Sequence, residues 1–206
     1  MSRQHRAYDR AIVPVEVSFE RDVTQEKNNY IKNAIKQIAM FGRPSNDLFL
    51  EHRARLAFII RNQGRNSICS YGRSILRDVS KQFKSQRKSP MLIDAVMSDD
   101  RFWDRLMSAW FVANAANKVT GIADTTRADL NAVITASATM TPDERLKAID
   151  NLGAVNKMRA RTIARTEAHS AAMFSSVEVA NKIEQDTDSD MLKSWLPVLS
   201  ERTRMS

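Results

Sequence analysis

Arg161, Arg165 and His169 recur every four residues near the C-terminal end of the chain, and Glu167 stands between the last two. On an α-helix the two arginines and the histidine share a face, an arrangement able to cradle a phosphate. Glu167 falls about 200° from Arg165 around the same helix, so the carboxylate and that guanidinium cannot line one pocket there. Glu167 instead shares a stripe with Ile163, Phe174 and Val177 and is expected to be partly buried, which obliges it to find a cation or hydrogen-bond donors. The nearest cations left unclaimed in sequence are Arg202 and Arg204. The C-terminal segment is therefore expected to fold back, one of these arginines gripping Glu167 and Trp195 packing beside the bridge. No second carboxylate at nuclease-like spacing and no Gly-rich phosphate loop accompanies Glu167, so no catalytic residue is assigned. The single cysteine, Cys69, and three dispersed histidines, His5, His52 and His169, give no metal framework, and no metal or cofactor is expected. His52, on an apolar stripe with nothing nearby in sequence to partner it, reads as a histidine at the edge of the core.

A second constellation is purely electrostatic. The 206 residues hold 32 Lys plus Arg against 24 Asp plus Glu, a net charge of +8. Residues 53–88 alone hold ten basic residues and one acid, Asp78, a local charge of +9. Arg61, Arg65, Arg73, Arg77, Lys81, Lys84 and Lys88 are the candidate nucleic-acid contacts. The last five fall within an arc of roughly 80° on a helix, opposite Ile75, Leu76, Val79 and Phe83. Cations spaced one turn apart suit a run of phosphates. No aromatic residue interleaves the stripe and no zinc-finger, RNA-recognition or zipper pattern occurs, so binding to double-stranded DNA without sequence specificity is the expectation.

The elements that must carry these residues read as helices. Only five Gly and five Pro punctuate the chain, too few for an all-β sandwich or barrel. Helical periodicity predicts helices over 22–41, 46–64, 65–88 with a bend at Gly72, 99–118, 127–140 and 155–183. Another should open at the Thr141-Pro142-Asp143-Glu144 capping box and stop at Gly153. The pairs Phe102/Trp103, Leu106/Met107 and Trp110/Phe111 form an apolar stripe that belongs in a core. Val15, Val17 and Phe19 alternate with polar residues after Pro14 and predict a short strand or extended arm. The expected fold class is mainly α, an elongated multi-helix assembly with a short N-terminal extended segment, divided near Pro90 or Gly121 into regions 1–120 and 121–206. The longest run without a charged residue, 130–142, is too short to span a bilayer, and no signal peptide opens the chain, so a soluble protein without membrane contact is expected.

The stretch Ile163-Ala164-Arg165-Thr166-Glu167, then Lys193-Ser194-Trp195, then Arg202-Thr203-Arg204 resembles the signature of the phage minor head, or head morphogenesis, proteins of the Mu F-like family. The resemblance covers residues 124–206 and rests on Ile163, Arg165, Glu167, Lys193, Trp195, Arg202 and Arg204. The histidine that the family places three residues after Arg204 would fall at position 207, so the region is expected to be cut short at its C-terminal end. The resemblance implies a structural protein of the virion, made in the host cytoplasm. It would sit in the phage head with the portal or capsid protein as partner and act in head assembly, DNA packaging or DNA delivery. Whether the chain forms a homo-oligomer stays open. The other readings are a DNA-processing or toxin-like enzyme delivered with the genome, built on Glu167 with Arg161, Arg165 or His169, and a non-specific DNA-compacting protein built on the basic helix alone.

Overall fold

The computed structural model describes residues 3–85, 91–137 and 139–187, and among them every regular element is a helix and none is a strand. Three helices dominate: α1 (Arg3–Phe41), α2 (Asn46–Ser85) and α6 (Pro142–Thr187), of 39, 40 and 46 residues. At 1.5 Å per residue each is roughly 60–70 Å long, which makes the assembly elongated. Between α2 and α6 come the short α3 (Met91–Ser98) and α4 (Asp100–Trp110). A π-helical turn, Phe111–Ala115, joins α4 to α5 (Ala116–Ser137) without a break.

The extended arm expected at Val15–Val17–Phe19 is instead part of α1. Beneath the apparent alternation runs a helical series, Tyr8, Ile12, Val15, Phe19 and Val23, all buried, while Val17 faces solvent. Burying that stripe outweighs the break of about 3 kcal/mol that Pro14 imposes inside the helix. α1 then ends as expected. Gly42 adopts the left-handed φ of +75° and donates its N–H to the Ile38 carbonyl at 2.8 Å. The Ser45 hydroxyl receives the Leu48 N–H at 3.2 Å and opens α2.

Cross-helix contacts set the topology. α2 runs antiparallel to α1, with Tyr71 against Tyr8, Gln63 against Ser18 and His52 against Glu26. α6 also opposes α1, pairing His169 with Tyr8 and Asn156 with Lys27. The continuous α4–α5 rod opposes both α2 and α6, through Arg73 to Asp100 at one end and Asp129 to Arg159 at the other. The result is an up-down-up-down four-helix bundle with α3 at the α2–α4 corner. α2 and α6 form its close diagonal: α6 presents Ala160, Ala164, Ala168, Ala171, Ala172 and Ser175 to the interior, small enough to bring helix axes together. The described residues of regions 1–120 and 121–206 draw on one core, which extends from Tyr8 to Ile183.

Glycines expected to stop or bend helices lie inside them. Gly64 and Gly72 sit within α2 because the indole rings of Trp110 and Trp103 lie directly against them. A Cβ at Gly72 would stand 2.6 Å from the Trp103 ring, and one at Gly64 would overlap Trp110. Gly121 and Gly153 face open space within α5 and α6. A lone glycine costs a helix only about 1 kcal/mol, and the buried neighbours Ala123, Leu152 and Asn156 keep those helices seated. The expected capping box forms at the start of α6. The Thr141 N–H and the Thr141 hydroxyl each donate to Glu144 Oε2 at 2.8 Å and hold the Glu144 carboxyl below its ordinary range, while the Glu144 N–H reaches back to Thr141 Oγ1. The apolar stripe of α4 is core: Phe102, Trp103, Leu106, Met107 and Trp110 are all buried.

Candidate polyanion face and motif helix

The basic stripe of α2 is divided by its neighbour. Ile75, Leu76 and Val79 are buried, as their position opposite the cations requires. Arg65, however, donates from Nε to Asp104 of α4 at 2.9 Å, which raises its pKa further, and Arg73 lies 3.6 Å from Asp100 with its guanidinium over the Trp103 ring. Arg61 donates to the Met107 sulfur at 3.3 Å. These three arginines line the α2–α4 seam. Acids scarce within α2 are thus supplied by the adjoining helix, a compensation invisible in the local charge count. Arg77 and Lys81 face outward, Lys81 within 3.3 Å of Asp78. Lys84 follows near the end of α2, and Lys88 lies outside the described residues.

On α6, Glu167 is buried, only 3% exposed, and its partner is Lys118 of α5, whose Nζ donates to both carboxylate oxygens at 3.0 and 3.3 Å. The burial follows from its position between Ala164 and Ala168 on the inward stripe. The cation came from a helix 49 residues earlier, where nothing in local sequence marks it. Arg202 and Arg204, expected to hold Glu167, lie outside the described residues together with Lys193 and Trp195. Ile163 is half-buried against the core, and Arg161 and Arg165 are exposed. His169 turns toward α1 and shares a 2.8 Å hydrogen bond with the Tyr8 hydroxyl, its ring edge-on to the tyrosine. The face that could have joined Arg165 and His169 around a phosphate is therefore committed at one end to helix packing.

Two buried polar groups went unsignalled in the sequence. His52, expected to stand alone, is buried and lies 2.9 Å from Glu26 Oε1 with its ring stacked on Tyr30 at 4.3 Å. Glu26 and His52 are 26 residues apart on opposing helices. Burial also pushes the Tyr30 hydroxyl above its ordinary pKa. Lys27, next to Glu26 but turned to α6, is 1% exposed and meets the Asn156 side-chain oxygen at 3.5 Å. Burial, reinforced by the nearby Arg159 charge, lowers its pKa from 10.5 to about 8. The only early signal was an i, i+1 acid–base pair, which helix geometry splits between two faces. Cys69, buried on α2, has its thiol pushed up in pKa by burial in spite of Arg65 and Arg73 nearby. Among the described residues, no helix is long and apolar enough to cross a membrane.

Compared with protein-family models, with curated proteins and with solved structures, the chain finds no match.

Proposed function

We propose that this chain is a structural minor head protein of a tailed bacteriophage, associated with the portal or inner capsid and lying against packaged DNA during assembly, packaging or delivery. The observation that carries the reading is the state of Glu167. The carboxylate that ends the Ile-Ala-Arg-Thr-Glu motif is buried and tied to Lys118, a bond that joins the motif helix to α5. A buried, paired carboxylate serves helix packing, and removing its partner is costly whether or not any substrate is present. DNA contact draws its support from Arg77 and Lys81, which project from α2 away from the core. The pairing of Arg65 and Arg73 with α4 acids narrows that contact to fewer phosphates than the stripe's full length suggests.

Two measurements test this. The chain should be found in purified particles of the phage that encodes it, and absence from them would refute the assignment. Binding to a duplex DNA fragment should weaken as salt rises. An Arg77→Glu/Lys81→Glu variant should flatten the log–log salt slope by about 2, since each lost phosphate contact removes about 0.9. An unchanged slope would remove DNA contact by this face from the proposal.

A further inference from the structure

Along α5 and α6, with Lys27 of α1 reaching in, runs a groove of about 520 Å³; its wall includes Ile163, Thr166 and Glu167 of the motif and Lys118, and the head-protein reading assigns no ligand to its open space. Three cations reach it from three helices: Lys27 of α1, Lys118 of α5 and Arg159 of α6. Two carboxylates answer two of them. Glu167, itself in the groove wall, is held by Lys118, and Asp129 is held by Arg159. Lys27 is left over. Although it is almost fully buried, no carboxylate of the described residues lies within salt-bridge distance, and its hydrogen bond is a 3.5 Å contact to the Asn156 amide oxygen. Asn156 is itself incompletely satisfied, its buried Nδ2 having no partner. A buried ammonium without a counter-charge is costly to keep unless something supplies the missing negative charge.

We propose that this groove binds a phosphate group, with the Lys27 ammonium as its principal contact and the Arg159 guanidinium beside it. Phosphate suits the site better than a planar carboxylate because the donors approach from different helices, and a tetrahedral anion offers oxygens in several directions. The Thr166 hydroxyl in the groove wall adds a further donor. The lowered pKa of Lys27 still leaves it mostly protonated at neutral pH, and a bound anion would raise that pKa back toward its ordinary value. The groove is larger than one phosphate, with room for a ligand of nucleotide size attached to it.

The test uses the full chain at neutral pH, with inorganic phosphate, adenosine monophosphate and sodium chloride compared at matched ionic strength by thermal unfolding and titration calorimetry. Phosphate should raise the unfolding temperature saturably beyond chloride. Lys27→Met should abolish that increment while retaining its helical circular dichroism. Arg159→Gln, at a half-exposed position, should weaken phosphate affinity at least tenfold. Tighter binding of the nucleotide than of phosphate assigns the site to a phosphorylated ligand, and equal binding assigns it to free phosphate; both outcomes sustain the proposal. An increment no larger than that of chloride overturns it, as does one retained undiminished in both variants.

Discussion

Replacing Lys27 by methionine should make the protein more stable near neutral pH. Methionine matches the unbranched shape of the lysine stem, so the substitution removes a charge with little change in packing. The magnitude follows from the pKa. A fall from 10.5 to about 8 corresponds to about 3 kcal/mol of penalty for holding the ammonium in place. Against this stands the loss of the weak Asn156 contact, which leaves the amide oxygen unpaired and costs about 1 kcal/mol. The net expectation at pH 7 in phosphate-free buffer is a gain of about 2 kcal/mol. The pH dependence is the sharper criterion. Below pH 8 both folded and unfolded lysine are protonated, and the penalty is complete. Between about 8 and 10.5 the unfolded chain binds the proton more tightly, so wild-type stability rises with pH relative to the variant. By pH 9.5 the penalty should have fallen to about 1.4 kcal/mol, and the advantage of the variant to a few tenths. Urea unfolding at the two pH values, followed by the fluorescence of buried Trp103 and Trp110, measures both quantities. A Lys27→Met protein less stable than wild type by the same amount at both pH values would refute the reasoning, because Lys27 would then be held by favourable contacts and not merely tolerated.

Lys118→Met should cost about 2–3 kcal/mol in urea unfolding, since it strands the buried Glu167 carboxylate, and Lys118→Arg should restore most of the loss; equal stability of the methionine variant would show the bridge to be idle. Gly72→Ala should destabilise by about 1–3 kcal/mol and alter tryptophan fluorescence, because its Cβ meets the Trp103 ring and the Ser175 hydroxyl. Gly121→Ala, where a Cβ meets nothing within 4 Å, should instead raise the unfolding free energy by about 0.5–1 kcal/mol. Cys69 should react with a disulfide reagent far more slowly in the native protein than in urea, as its burial and raised pKa require.

Local features were readable wherever the responsible residues are close in sequence. The capping box at Thr141, the Gly42 stop and the buried stripe of α4 each depend on groups within one or two helical turns, and each stands as the residue types required. The misreadings share a cause. Val15, Val17 and Phe19 satisfied a period of two only because the window was short; extended to Tyr8 and Val23, the helical period takes over. Gly64 looked like a helix end and Gly72 like a bend because the rings that require them, Trp110 and Trp103, lie on another helix.

The sequence by itself determined that the chain is helical, which face of α2 and of α4 turns inward, and that Glu167 would be buried, because helical periodicity ties facing to spacing. Partners are another matter. That Lys118 holds Glu167, that Glu26 meets His52, that α4 acids answer Arg65 and Arg73, and that Lys27 is left with no carboxylate of the described residues within salt-bridge distance were decided by the tertiary structure. Electrostatic energy depends on distance in space, and in a bundle of helices roughly 60–70 Å long each residue has neighbours from chain segments tens to more than a hundred positions away.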